Sequence, residues 1–273
     1  MRRFVYILVL ICMQLSSSAQ KGIDQLILAE KNFAGYSVAH STKGAFLKFL
    51  DSAGVVFDKA KAVNGIELWN SREKRPGILN WYPLYAEISS SGDFGYTTGP
   101  WTYQASGNDS IAARGIYTTV WHIDKNGEWK FLVDLGTNNS PAHSGDEDRK
   151  IIIVQKDTGA SKSKKDFIAA EESFIKLAGT DKIKAYEKYL SSFYSILNRN
   201  DHSPTSNRSA KKDIIDATPS AIIYQVDGWK ISPKNDLAYI YGTTELNGIQ
   251  ENYLRIWRHE KDGWKIALEV LRY

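Results

Sequence analysis

The stretch Gly92–Gly99, which reads GDFGYTTG, returns later in the chain as Asn235–Gly242, which reads NDLAYIYG. The segments that follow also correspond. Tyr117–Lys130 and Tyr253–Lys265 each contain a tryptophan, then Asn-Gly or Asp-Gly, then a Trp-Lys pair. Landmarks that recur in one order indicate two copies of one domain. The repeat decides the architecture, and it does not decide which reaction, if any, the protein performs.

Each copy begins with helices and ends with strands. In the first copy Leu26, Ala29 and Phe33 recur at helical spacing, and from Trp81 onward aromatic and β-branched residues dominate. Helices followed by antiparallel strands predict an α+β fold, in which each copy wraps a curved sheet around its helices. The predicted division is a signal peptide over 1–19, a first domain over 20–136, a linker over 137–165 and a second domain over 166–273. Within the linker, Ile151–Val154 is expected to add an edge strand.

The closing hairpins are the strongest local prediction. Asn126-Gly127 and Asp262-Gly263 are pairs that tolerate the positive φ angles of tight turns. Strict alternation after each turn predicts one buried face per closing strand. Asp134 and Glu269 then fall on the opposite face, where we expect solvated charges. The residues of the two predicted buried faces are Trp129, Phe131, Val133 and Leu135, and Trp264, Ile266, Leu268 and Val270.

The first residues predict export. Arg2-Arg3 precede the apolar stretch Phe4–Leu15, and Ser17–Ala19 supplies the small residues of a cleavage site. We expect the mature protein to be periplasmic or extracellular, with a retained anchor or lipidation at Cys12 as the lesser alternatives. Cys12 is the only cysteine, so the exported chain depends on its core rather than on disulfides.

Charge argues against nucleic acid as a partner. The formal net charge of +4 becomes +2 without Arg2 and Arg3, and no concentrated basic face is evident. No second apolar segment is long enough for stable membrane insertion. The five histidines do not fall at zinc-site spacing, and no phosphate loop or dinucleotide fingerprint occurs. We therefore predict no metal and no cofactor.

Several motifs together carry a resemblance to a known family. They are Ala29-Glu30 with Phe33, Val63-Asn64-Gly65, Trp81 with Pro83, Ser91–Tyr96 with Gly99 and Trp101, and Trp121 followed by Asn126-Gly127 and Trp129-Lys130. The chain resembles the SnoaL-like members of the nuclear transport factor 2 (NTF2) superfamily, in tandem, and most of all secreted bacterial domains of undefined role. The resemblance implies two cone-shaped domains, each enclosing a pocket that serves isomerases, dehydratases, cyclases, ligand binders or subunit contacts. Fold alone does not choose among these.

Candidate acid–base residues lie in the first copy. Asp93, Tyr96 and His122 offer a carboxylate, a hydroxyl donor and an imidazole for proton transfer in an apolar pocket. Asp93 also suits a turn for backbone reasons alone, and alternation places His122 on the strand face opposite Trp121. Many relatives carry a histidine after the last tryptophan strand, whereas this copy ends in Asp134–Gly136.

Aromatic residues suggest a binding role instead. Rings in such number suit a planar or amphipathic ligand, although each one singly is typical of a core. Our first hypothesis is a non-catalytic protein that binds a small apolar or aromatic ligand or acts through domain association, as an internal pair or a homo-oligomer. The alternative is a pocket enzyme with isomerase, dehydratase or hydrolase-like chemistry in the first domain. The candidate ligand-binding residues are Trp69, Trp81, Tyr82, Tyr96, Trp101 and Trp121.

Overall fold

The computed structural model of the protein describes residues 22–74, 76–139, 152–154 and 164–273. The predicted signal peptide and most of the predicted linker lie outside these ranges. We define the N-terminal unit as the described residues up to 154 and the C-terminal unit as residues 164–273, because each has its own sheet.

The described N-terminal unit packs three helices against one sheet. The strand order is β2-β1-β7-β6-β5-β4-β8, with β3 also paired to β5. The β1–β7 and β4–β8 pairs are parallel and the others are antiparallel. The elements are α1 (22–39), α2 (Thr42–Phe49), β1 (Leu50–Asp58), β2 (Lys61–Asn64), α3 (Gly65–Ser71), β3 (Ile78–Trp81), β4 (Tyr85–Ile88), β5 (Phe94–Gln104), β6 (Ala113–Ile123), β7 (Trp129–Asn138) and β8 (Ile152–Val154).

The C-terminal unit repeats this plan with fewer strands. Its sheet has the order β10-β11-β12-β13-β9, and only the β9–β13 pair is parallel. The elements are α4 (Lys164–Ala178), α5 (Lys182–Tyr189), β9 (Ile196–Arg199), α6 (Arg208–Ala217), β10 (Ile223–Ile231), β11 (Leu237–Leu246), β12 (Ile249–Glu260) and β13 (Gly263–Leu271).

Equivalent polar residues start the second helix of each unit. Ser41 Oγ accepts from the Gly44 amide in α2, and Asp181 Oδ1 accepts from the Lys184 amide in α5. Each cap satisfies a backbone donor that has no partner within its helix. Phe33 of α1 is buried against the first sheet, in one cluster with Trp121 and Phe131.

A β-bulge in each closing strand makes the predicted buried faces wrong. In β7, Val133 pairs with Val120 and Phe131 pairs with Trp121, so Leu132 is the extra residue. One extra residue reverses the alternation of side chains beyond it. Trp129 and Phe131 accordingly pack towards the helices, whereas the residues after the bulge, such as Val133, pack on the opposite face.

The C-terminal unit has the same irregularity. Ile266 pairs with Trp257 and Leu268 pairs with Ile256, which leaves Ala267 as the extra residue of β13. Because of the two bulges, Asp134 and Glu269 face the interiors of their own units. The prediction of a solvated charge is wrong for Glu269, which is fully buried, and Asp134 is half-buried rather than exposed.

The two sheets pack face to face. Their shared apolar layer is joined by a buried ion pair between Glu87 of β4 and Arg258 of β12, and Tyr96 Oη donates to Glu87 Oε2 at 2.8 Å. Asp236 accepts from Ser89 Oγ at 2.5 Å in the other unit. The buried side chains of the layer are Phe94, Tyr96, Val120, Leu132, Val133, Leu135, Ile196, Leu237, Tyr239, Leu254, Ile256, Leu268 and Val270.

The predicted fold class is confirmed. The chain is α+β, with helices packed on two antiparallel-rich sheets. Both predicted hairpins form, with Gly127 and Gly263 at φ 80° and 110°. The expected edge strand forms as β8, which pairs with β4. Within the described ranges, no helix has the length and apolar character needed to cross a bilayer.

Candidate functional site

A cavity of about 300 Å³ opens between the helices and the sheet of the N-terminal unit. Most of its wall is aromatic, and its polar groups come from β7 and from the end of the C-terminal unit. Its lining residues are Phe33, Phe46, Leu79, Trp81, Trp101, Tyr117, Asp134, Gly136, Asn138 and Arg272.

Asp134 is the carboxyl group of this cavity. It lies opposite Thr119 in the β6–β7 ladder, and Thr119 Oγ1 donates to its Oδ2 at 2.7 Å. Burial raises the pKa of Asp134 to about 6, although the Thr119 hydrogen bond favours the ionised form. Asp134 can therefore accept a hydrogen bond or exchange a proton near neutral pH.

Glu30 of α1 is a second buried carboxyl group, behind the cavity wall. Its Oε1 accepts from Trp81 Nε1 at 2.5 Å, and its Oε2 accepts from Thr97 Oγ1 at 2.5 Å and from Trp121 Nε1 at 2.8 Å. Burial raises the pKa of Glu30 to about 7 against the effect of these three donors. The contacts tie α1 to β3, β5 and β6, so Glu30 positions Trp81, which lines the cavity, and the buried Trp121.

Tyr117 and Trp101 complete the wall near the two carboxyl groups. Burial, together with neighbouring Glu30, raises the pKa of Tyr117 well above its usual range, so its hydroxyl remains a donor. Trp101 lies across β6 and β7 and donates from Nε1 to Thr137 O at 3.2 Å. A Cβ on Gly115 would fall 2.6 Å from that indole nitrogen, so this residue must be glycine.

The corresponding space in the C-terminal unit is filled by Arg255. This arginine occupies the position of Thr119, since it lies opposite Glu269 as Thr119 lies opposite Asp134. Its guanidinium pairs with Glu171 at 2.5 Å and with Glu269 at 2.6 Å. The group is fully buried and lies against three rings, those of Phe174, Tyr224 and Tyr253, with its carbon 4.4 to 4.6 Å from each ring centre.

Charge is balanced within this buried cluster. Arg199 also pairs with Glu269, so two guanidinium groups meet two carboxylates. Burial favours the neutral acid, but Arg199 and Arg255 outweigh it and lower the pKa of Glu269 to about 2. For Glu171, burial prevails over Arg255 and raises the pKa. The cluster is a packed, ion-paired core and leaves no room for a ligand where Arg255 lies.

The three predicted acid–base residues lie on the other side of the first sheet. Asp93 is in the turn before β5, where its carbonyl oxygen accepts from the Ile123 amide. Tyr96 lies in the apolar layer between the sheets. His122 Nε2 lies 2.8 Å from Asp51 Oδ2, and its Nδ1 lies 3.4 Å from Lys230 Nζ of the C-terminal unit. None of the three lines the cavity, and a catalytic role for them stays a prediction.

Of the six predicted ligand-binding aromatics, two line the cavity. Trp81 and Trp101 line the cavity. Trp69 packs on Phe46 within the core, Trp121 is fully buried on Glu30, and neither Tyr82 nor Tyr96 lines the cavity.

Sequence reasoning missed Asp134 and Glu30 as residues of this site. The repeat contained a usable signal, because Glu30 recurs as Glu171 on an otherwise apolar helix face. A carboxyl group retained at such a position indicates a buried partner. Among residues 22–74, 76–139, 152–154 and 164–273, no cluster of three or more histidine, cysteine, aspartate or glutamate side chains is arranged to hold a metal ion.

Comparison with known proteins found structural neighbours only. No protein-family model matches the sequence, and no curated protein matches it. The structural neighbours are NTF2-like proteins. An NTF2-like protein of unknown function from Shewanella oneidensis is 11% identical, and the match covers 40% of this chain and 98% of that protein with a TM-score of 0.33.

Two further neighbours are also NTF2-like proteins. An NTF2-like superfamily protein from Salmonella enterica is 15% identical over 48% of this chain and 95% of its own, with a TM-score of 0.30. An NTF2-like protein from Bacteroides fragilis is 8% identical over 86% of this chain and 92% of its own, with a TM-score of 0.25. The neighbours are of the kind named by the sequence resemblance, and the likeness concerns the fold alone.

Proposed function

We propose that this chain is an exported tandem protein of the SnoaL-like type, whose N-terminal unit binds a small aromatic ligand. The C-terminal unit serves as its structural partner. The observation that carries the proposal is the difference between two equivalent interiors. Thr119 leaves a cavity open beside Asp134, whereas Arg255 fills the same place beside Glu269.

The cavity suits a ligand with one aromatic ring and one or two polar groups. Its volume of about 300 Å³ is at the small end of ligand sites. Trp81, Trp101 and Phe33 offer ring faces and edges, and burial of a ring there removes apolar surface from water. Asp134 offers the acceptor for a hydroxyl or amine of the ligand.

Binding is tested with 4-hydroxycinnamate as the probe. A ligand bound beside Trp81 and Trp101 should change tryptophan fluorescence and raise the melting temperature. The control variant is Thr119→Arg, which places in the N-terminal unit the side chain that fills the C-terminal one. Asp134 and Glu30 stand where Glu269 and Glu171 stand, so we expect the new arginine to pair with them and the variant to fold; its melting temperature checks this.

Two results would contradict the proposal. One is the absence of saturable binding by 4-hydroxycinnamate and by a screen of other single-ring aromatics. The other is equal binding by the native chain and Thr119→Arg.

A second candidate is proton-transfer catalysis in the same cavity. It is favoured by the pKa of about 6 to which burial raises Asp134, with the protonated Tyr117 hydroxyl in the same wall. Asp134 would take a proton from a carbon next to a carbonyl group and return it. Hydrogen–deuterium exchange of phenylacetone in D2O, followed by NMR, tests this. Exchange no faster with the native chain than with Asp134→Asn rules it out.

A further inference from the structure

The cavity of the N-terminal unit receives one residue from the C-terminal unit. Arg272 follows β13, where its amide donates to Asn252 O at 3.1 Å and its carbonyl oxygen accepts from Thr244 Oγ1 at 2.8 Å. These backbone contacts fix the point from which the side chain leaves the C-terminal sheet. The side chain then lines the cavity of the other unit, with Asn138 as a neighbouring lining residue.

Arg272 retains donor capacity at this position. Its Nη2 pairs with Glu251 Oε2 at 2.8 Å, and both side chains are about a quarter exposed. Its Nε is buried and has no hydrogen-bond partner among the described residues. A buried donor without an acceptor is unfavourable, and a guanidinium matches the planar geometry of a carboxylate.

The two polar ends of the cavity differ in charge. Asp134, Gly136 and Asn138 share one face of β7, and Asn138 is exposed whereas Asp134 is half-buried. Four residues of a strand span about 13 Å. The carboxyl group of Asp134 therefore lies at the inner end and the mouth lies at Asn138 and Arg272, with the aromatic wall between them.

We infer that the ligand is an aromatic carboxylate. Its carboxylate binds Arg272 at the mouth, its ring lies against Trp81 and Trp101, and a hydroxyl or amine at the far end of the ring donates to Asp134. This inference rests on the proposed function and adds the ligand class. It also assigns a role to the pairing of the units, because the N-terminal unit alone lacks the cation of the site.

The experiment compares two probes of one shape by calorimetry on the full mature chain. The probes are 4-hydroxycinnamate and its amide, which carries no charge. We expect the native chain to bind the carboxylate on the order of tenfold more tightly, since a hydrogen bond to a charged group is stronger than one between neutral groups. Arg272→Gln should abolish this preference, so that the acid and the amide bind with similar affinity.

Two further variants test whether the preference for the carboxylate comes from Arg272 itself or from the net charge of the protein. Arg208→Gln removes the same charge from an exposed position on α6 and should leave the preference intact. Glu251→Gln removes the carboxylate that competes for Arg272 and should strengthen binding of 4-hydroxycinnamate severalfold.

The outcomes are distinguishable. Equal binding of acid and amide by the native chain, or a preference that survives in Arg272→Gln, overturns the assignment of an aromatic carboxylate and leaves the proposed function standing. No binding of either probe, or of other single-ring aromatics, overturns the proposed function itself.

Discussion

Replacing Arg255 by threonine, the residue at the equivalent position of the N-terminal unit, should destabilise the protein strongly. The change removes both ion pairs of this side chain, and Glu171 then has no cationic partner among the described residues. Glu269 keeps Arg199. Breaking a buried pair from one side costs about 3–5 kcal/mol. For a chain of this size each kcal/mol is worth roughly 2–4 °C, so the melting temperature should fall by about 6–20 °C.

The assay is urea and thermal unfolding at pH 8 and pH 5. The loss should be smaller at pH 5, because a buried Glu171 without its arginine can bind a proton there. Glu171→Gln in the Arg255→Thr background should recover part of the stability. Lys212→Thr is the matched control, since it removes an equal charge from an exposed pair with Asp216 and should leave the melting temperature nearly unchanged. A loss in Arg255→Thr no larger than in Lys212→Thr refutes the reasoning.

Three further predictions concern the N-terminal unit and the contact between units. Burial raises the pKa of Asp134 to about 6 from an ordinary value near 3.8. The folded state therefore holds this proton more tightly, and stability falls as pH rises through that window. Asp134→Asn should remove this dependence and be more stable at pH 7 by about 1–3 kcal/mol in urea unfolding. An unchanged pH profile contradicts the burial of this group. Burial lowers the pKa of His122, so its neutral form is favoured beside Lys230 and stability is lost as pH falls below 6.5. His122→Gln should lose less stability than the native chain between pH 7 and pH 5, and an equal loss refutes this. Gly115→Ala should destabilise the chain by about 1–3 kcal/mol and shift tryptophan emission, because the new Cβ would lie 1.8 Å from the backbone oxygen of Thr137. Gly107→Ala is the control, since its Cβ would meet nothing closer than 3.6 Å, and it should change neither stability nor emission.

Local sequence patterns predict the helices and turns, because these depend on residues that are near one another in the chain. Helical spacing located α1, and Asn126-Gly127 located the β6–β7 turn, because hydrogen bonding and φ preferences act over a few positions. The repeat predicts two units, but it carries no information about how the units contact each other.

The residues of the candidate site are harder to predict from the sequence, because their orientation depends on a single-residue irregularity in a strand. The bulge at Leu132 reverses alternation within β7, and no turn residue marks it. Strand alternation therefore predicts a solvated Asp134, although this residue faces a cavity. The sequence likewise predicts Tyr96 in a pocket, although it lies between the sheets. Packing of one unit on the other buries a face that strand alternation cannot distinguish from an interior.

The open or filled state of each interior also depends on a single residue. Whether an interior is open or filled depends on the exchange of Thr119 for Arg255 between the copies. That exchange is visible in the sequence, but its consequence requires knowing that both residues face inward.

The central claim is that one interior is open to a ligand and its equivalent is closed. Diffraction from crystals soaked in 4-hydroxycinnamate measures this most directly. We predict density for one molecule against Trp81 and Trp101, with its carboxylate at Arg272 and with the side chains around Arg255 undisturbed. A cavity that stays empty at saturating probe, or density in the C-terminal interior in place of Arg255, would contradict the account.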